Sequence, residues 1–173
     1  MGVVKKVWIE DLGLLDGRIK EKELAPSTDE ECILRALGLA LKAADIDEVP
    51  VGAMVVCRGR IISEAYNHRE SSGCATHHAE ILAIEEACRV LGGWRLPHCT
   101  LYVTMEPCVM CAGAVINSRI ERVVYGAPDI RFGALGSLIN VSRIGFNHKM
   151  QVTGGVLEEE CKKILSEYFK RKR

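Results

Sequence analysis

From residue 52 onward the hydrophobic pattern switches back and forth between strand and helix periods, and this alternation limits the fold more than any other feature of the chain. Gly52-Ala53-Met54-Val55-Val56-Cys57 is a short, nearly continuous apolar run. Arg58-Gly59-Arg60 offers a turn and Ile61 to Asn67 alternates loosely, so the pair predicts a β-hairpin. Residues 68–77, polar and containing Gly and Ser, predict a loop. Helical spacing resumes with Ile81, Ala83, Ile84, Ala87, Cys88 and Leu91 and stops at Gly92-Gly93. Leu101-Tyr102-Val103-Thr104 predicts a strand, and Pro107 suits the first turn of a helix from Cys108 to about Asn117. Val123-Val124-Tyr125 predicts a further strand, residues 126–136 a Gly-containing loop, Met150 to Thr153 a last short strand, and Val156 onward a terminal helix. Ahead of the hairpin, Ser27 and Thr28 with Glu30 and Glu31 offer two overlapping capping boxes. Ile33, Leu37, Ala40, Leu41 and Ala44 follow on one helical face, which Pro50 closes. Strands alternating with helices imply a three-layer α/β/α domain around a central mixed five-stranded sheet. The two strand–helix–strand passages predict that the middle of the sheet is parallel.

Residues 27–173 read as this single domain, while residues 1–26 differ. They hold a short apolar piece at Val7-Trp8-Ile9, a charge-dense stretch from Arg18 to Glu23, and Ala25-Pro26, as expected of a weakly ordered extension or an edge element. A chain of 173 residues buries roughly two-thirds of its unfolded surface, so it needs no disulfide or structural metal to fold. Lys+Arg and Asp+Glu are 23 each, so a polyanionic partner must be met by a local patch and not by net charge. Glu10, Asp11 and Asp16 interrupt the apolar run that a secretory signal requires, and no stretch is long enough to cross a bilayer. The expectation is a cytoplasmic protein without a membrane partner, its thiols reduced. Cys32, Cys57, Cys74, Cys88, Cys99 and Cys161 then read as small apolar residues.

Two segments carry the chemistry. His78-Ala79-Glu80 and Pro107-Cys108-Val109-Met110-Cys111 each open a predicted helix. Cysteines at i and i+3 share a helical face, so both sulfurs can reach one ion. A helix N-terminus lowers thiol pKa values. Two thiolates and one imidazole form a zinc ligand set, and three protein ligands is the count of a catalytic site that keeps a position for water. His77 competes with His78 by adjacency, and Cys74 and Cys99 are weaker candidates; His78 has the more useful offset from Glu80. Glu80 is close to the metal yet free of it, placed to take a proton from water and return it to a substrate.

The H-x-E…P-C-x-x-C pattern resembles the cytidine deaminase-like superfamily. Pro50-Val51-Gly52-Ala53, Thr76 to Glu80, Leu101 to Ala112, Ser118-Arg119-Ile120, Val124 to Ala127 and Asn147-His148 are similar to the bacterial tRNA adenosine deaminases, over about residues 29–173. His77 departs from that family, which usually has a smaller residue there. The resemblance implies zinc-dependent hydrolytic deamination of a wobble adenosine to inosine, one zinc ion per subunit, a tRNA anticodon stem-loop as partner, and a homodimer. It implies that Asn67 contacts the target nucleotide, that the Ala79 backbone and Pro107 line the base pocket, and that Asp129 meets a neighbouring ribose hydroxyl. Bland readings stand beside these: a turn-forming Asn67 and an ordinary loop Asp129. The terminus from Glu167 to Arg173 sets two aromatics beside four cations, and Phe169 and Arg171 are its candidates for stacking on and pairing with a single-stranded loop. The alternative is a core aromatic pair followed by a solvated tail. His148 either contacts the anticodon loop or packs. Rival functions are a free-base or nucleoside deaminase acting on guanine, cytosine or cytidine, and a non-catalytic zinc-containing RNA-binding module.

Overall fold

The computed structural model describes residues 22–172. The reading of residues 1–26 as an extension therefore lies mostly outside the described residues. Of those that are described, Leu24 bridges to Arg60, and Ala25 N–H donates to the Gly59 carbonyl at 2.9 Å.

The described residues form five strands and five α-helices. They are α1 (Asp29–Asp45), β1 (Gly52–Cys57), β2 (Arg60–Tyr66), α2 (Arg69–Ser72), α3 (Ala79–Leu91), β3 (Cys99–Met105), α4 (Val109–Ser118), β4 (Arg122–Ala127), β5 (Gln151–Thr153) and α5 (Glu158–Arg171), with a 3-10 turn at Val141–Arg143. The sheet order is β2-β1-β3-β4-β5. Alternation along each strand separates two cores. Ala53, Val55, Leu101, Val103, Val123 and Tyr125 face α3 and α4, packing on Ala83, Ala87, Val115 and Ile116. Met54, Val56, Tyr102 and Val124 face the other way, onto Ile33 and Leu37 of α1 and Cys161 of α5. The expected three layers and five strands are therefore present.

The expected parallel middle holds on one side of the central strand β3, which pairs parallel with β4, and is corrected on the other. β1, not β2, lies beside β3, and it pairs antiparallel with both (Ala53↔Val103, Gly52↔Tyr66); only β3, β4 and β5 run parallel. The hairpin places β2 on one edge of β1, and β3, reached through α3, pairs on the other. Burial agrees: every β1 residue is buried, as in an interior strand, whereas β2 exposes Glu64 at the sheet's rim. The face assigned to α1 also shifts. Leu41 is 52% exposed, while Ala36, Ala40 and Ala43 are buried. Gly52 explains the shift, since a Cβ there would lie 2.1 Å from the Ala36 carbonyl oxygen. Small residues, not the leucines, let the helix backbone approach β1.

Two further adjustments concern loops. Residues 68–77 hold the helical turn α2, stopped by Gly73 at φ 64°, and β4 extends through Ala127, so the following loop begins at residue 128. Because β1 opposes both neighbours, β2, β3 and β4 point the same way. Their C-terminal ends, with the heads of α3 and α4, share one edge of the sheet, where ligands bind in open α/β sheets.

Candidate active site

His78 is the N-cap residue of α3 and Cys108 that of α4, so the two helix starts converge. His78 Nδ1 lies 3.8 Å from Cys108 Sγ and 3.6 Å from Cys111 Sγ, and the three ligand atoms are all within 4.8 Å of one another. Zinc bonds of about 2.3 Å to sulfur and 2.0–2.1 Å to nitrogen, at a tetrahedral angle, set N and S about 3.6 Å apart. The spacing and the donor chemistry both fit zinc. Among the described residues this is the one such cluster of three. A hydrogen bond from Cys111, and a further one from His78, bring the Cys108 thiol down to about 4 against the effect of burial. Sharing with Cys108, together with burial, pushes Cys111 up, and the Cys108 contact raises His78. A metal ion replaces these shared protons when ligands bind it.

The competing ligands lie elsewhere. His77 Nδ1 is 2.9 Å from Ser72 Oγ, which turns its ring toward α2. Cys74 Sγ lies by Thr76 Oγ1, and Cys99 faces Cys57 across the β1–β3 ladder. Glu80, in the first turn of α3, is only 4% exposed. Burial raises its carboxyl above the ordinary range, which suits a group that must both take and give a proton near neutral pH.

The other candidates separate into groups. Asn67 and Ala79 are buried, Asn67 donating its backbone N–H to the Val51 carbonyl at 3.1 Å. Pro107 offers its carbonyl to Ala134 N–H at 2.9 Å. Asp129 is 8% exposed, and its Oδ1 accepts from Arg131 N–H (2.9 Å) and Phe132 N–H (3.2 Å), shaping a turn in its own loop. Tyr168 is buried and donates to the Asp47 carbonyl at 2.8 Å, while Phe169, edge-on to it, and Arg171 lie on the surface. His148, half-buried, donates Nε2–H to the Ile120 carbonyl at 2.7 Å.

Two buried glutamates were not among the residues picked out by pattern. Glu48 Oε1 accepts from Ser71 N–H and Oγ at 2.7 and 2.8 Å, pinning the loop that leads to His78. Glu106, 3% exposed, accepts from Asp129, Leu135 and Ser137 N–H and from Ser137 Oγ. Its position between an apolar strand and Pro107 was the available signal, because glutamates are almost never fully buried unless paired.

Residues 26–127 match the cytidine and deoxycytidylate deaminase zinc-binding region. The chain belongs to this family. It is 50% identical over 146 residues to the tRNA-specific adenosine deaminase of Bacillus subtilis, covering 84% of this chain and 91% of that one. Its identity to the Haemophilus influenzae protein of the same name is 45% over 147 residues, covering 84% and 85%. A solved structure from a study of A-to-I editing by tRNA:A34 deaminases at the wobble position shares 44% identity and a TM-score of 0.72, covering 75% of this chain and 95% of that one. A guanine deaminase from Nitrosomonas europaea shares 29% identity and a TM-score of 0.69, covering 89% and 91%. The protein is thus a zinc-dependent deaminase with the α/β architecture of its relatives.

Proposed function

We propose that this deaminase hydrolyses the wobble adenosine of a tRNA anticodon loop to inosine, releasing ammonia. The observation that carries the reading is the convergence of His78, Cys108 and Cys111 beside buried Glu80, in a chain 50% identical to a tRNA-specific adenosine deaminase. His78 Nδ1 and the Cys108 and Cys111 sulfurs would hold one zinc ion per subunit. When bound, zinc lowers the pKa of a coordinated water from about 15.7 toward neutrality. Glu80 takes one proton from the attacking water and delivers it to N1 of the adenine ring, then takes the proton of the new C6 hydroxyl and passes it to the departing amine. Water adds at C6 and ammonia leaves, so atoms and protons balance. Asn67, the Ala79 backbone and Pro107 line the base pocket. Asp129, through its remaining carboxylate oxygen, meets a ribose hydroxyl, and Phe169 and Arg171 meet the loop backbone and bases. An anticodon-loop adenosine is already unpaired, which lowers the cost of extruding it.

Residues 27–173 serve as the catalytic domain and residues 1–26 as an extension of it. The protein acts in the cytoplasm as a homodimer. Exposed Ile130, Phe132, Leu138 and Ile139 after β4 supply an apolar surface for a second copy, and no helix among the described residues is long and apolar enough to cross a membrane. Sedimentation at twice the chain mass checks the dimer.

The test is to incubate purified protein with an anticodon stem-loop, with adenosine, with cytidine, and with guanine and cytosine, measuring inosine and ammonia. Inosine in the RNA is the expected result. Ammonia from guanine alone would overturn the assignment in favour of a free-base enzyme. RNA affinity without ammonia from any substrate would leave only a binding module.

A further inference from the structure

We infer that Glu106 is a positioning residue for the RNA substrate: its buried carboxylate shapes residues 128–137 into a preformed wall beside the metal-ligand helix. This rests on the tRNA reading above. Four donors from three places in the loop converge on one side chain. Asp129 N–H (3.0 Å) and Ser137 Oγ reach Oε2, while Leu135 N–H (2.9 Å) and Ser137 N–H (3.1 Å) reach Oε1. Glu106 immediately precedes Pro107 and Cys108, and its own N–H donates to the Ala127 carbonyl at 2.8 Å. The loop is drawn against the same segment, with Ala134 N–H on the Pro107 carbonyl and Gly133 bridged to Cys108. Gly133 is required by this packing, since a Cβ there would lie 2.4 Å from both Glu106 Oε2 and the Asp129 carbonyl oxygen.

The tip of the loop, ahead of Gly133, points outward, while Ala134 and Leu135 are buried in the core. Ile130 is 80% exposed and Phe132 64%. The exposed tip therefore owes its shape to the polar anchors on one carboxylate, with Ala134 and Leu135 seating the end of the loop in the core. Such a loop, held before substrate arrives, spares the ordering cost of binding, so its loss falls on substrate affinity more than on the chemical step. A glutamine at position 106 keeps the volume but replaces one acceptor oxygen with a donor that faces donors. Size alone will therefore not restore the wall.

The experiment uses the full-length zinc-loaded enzyme and an anticodon stem-loop. For Glu106→Gln we expect KM to rise about tenfold with kcat falling less than about threefold, and zinc content to match wild type. Amide exchange should accelerate at Asp129, Leu135 and Ser137 while the α4 amides stay protected. Ser137→Ala, which removes one of the four donors, should give the same pattern at about two- to threefold in KM, and it serves if Glu106→Gln fails to fold. Combined with Asp129→Ala, Glu106→Gln should cost little beyond either single change, because both act through one wall. A loss confined to kcat, multiplicative effects in the double variant, or unchanged exchange in the loop would overturn the inference. If the wild-type enzyme deaminates no RNA, the substrate reading fails separately, and the exchange measurements still decide whether Glu106 orders the loop.

Discussion

Glu80 and Glu106 are both nearly buried, yet their surroundings push their carboxyls in opposite directions. Burial dominates at Glu80 and raises it. At Glu106 burial acts in the same sense, but the donors from Ser137, Asp129 and Leu135 outweigh it and hold the carboxyl below its ordinary range. One glutamate is thereby suited to exchanging protons and the other to staying a fixed acceptor. Glu80→Gln should retain stoichiometric zinc and lose about 10²–10⁴ in kcat, measured by metal analysis and inosine formation; near wild-type turnover would remove Glu80 from the mechanism. At the metal, Cys108→Ser should lose zinc, whereas His77→Ala should keep it, because the His77 ring is engaged by Ser72. Zinc loss from His77→Ala would reverse the ligand assignment.

At the scale of the elements, α1 is held at its start by polar contacts and along its middle by small residues. The Thr28–Glu31 capping box closes its start. Beside it Asp29 accepts two bonds from Arg122 of β4, at 2.8 Å to Oδ1 and 2.5 Å to Oδ2, and one at 3.1 Å from the Tyr102 hydroxyl of β3. Arg122 is the largest cause of a lowered Asp29 carboxyl. A carboxyl lowered by folding adds stability above its unfolded pKa, about 3.9, and that stability is lost as pH falls through the folded value. Asp29→Asn should therefore cost about 1 kcal/mol at pH 7, a figure kept small by partial exposure of the pair. The gap to wild type should close as pH falls below the unfolded pKa and through the lower folded one. Denaturant titrations at several pH values check this, and a constant gap across the range would exclude the ion pair as its source.

For the whole molecule, the catalytic edge is joined to a body that does not depend on it. The two cores on either face of the sheet are apolar and continuous, and the metal cluster sits at the heads of α3 and α4. Stripping zinc with a chelator should abolish turnover and lower Tm, reflecting the loss of about 4 kcal/mol of stability that zinc supplies at a thousandfold excess over Kd, while far-UV circular dichroism stays native. Unfolding on chelation would instead make the ion structural. Much of this was readable in the chain because its causes are local. Apolar spacing placed the helices and strands, and His78, Glu80, Cys108 and Cys111 followed from ligand chemistry at helix starts. What only the tertiary structure decided depends on partners distant in sequence. The antiparallel place of β1 beside β3, the burial of Ala36 in place of Leu41, the hydrogen bond from His148 to Ile120 and the engagement of His77 by Ser72 all turn on which surfaces meet. Glu106 is the clearest instance: in sequence it is a charge beside Pro107, and only the returning loop supplies the donors that make burying that charge favourable.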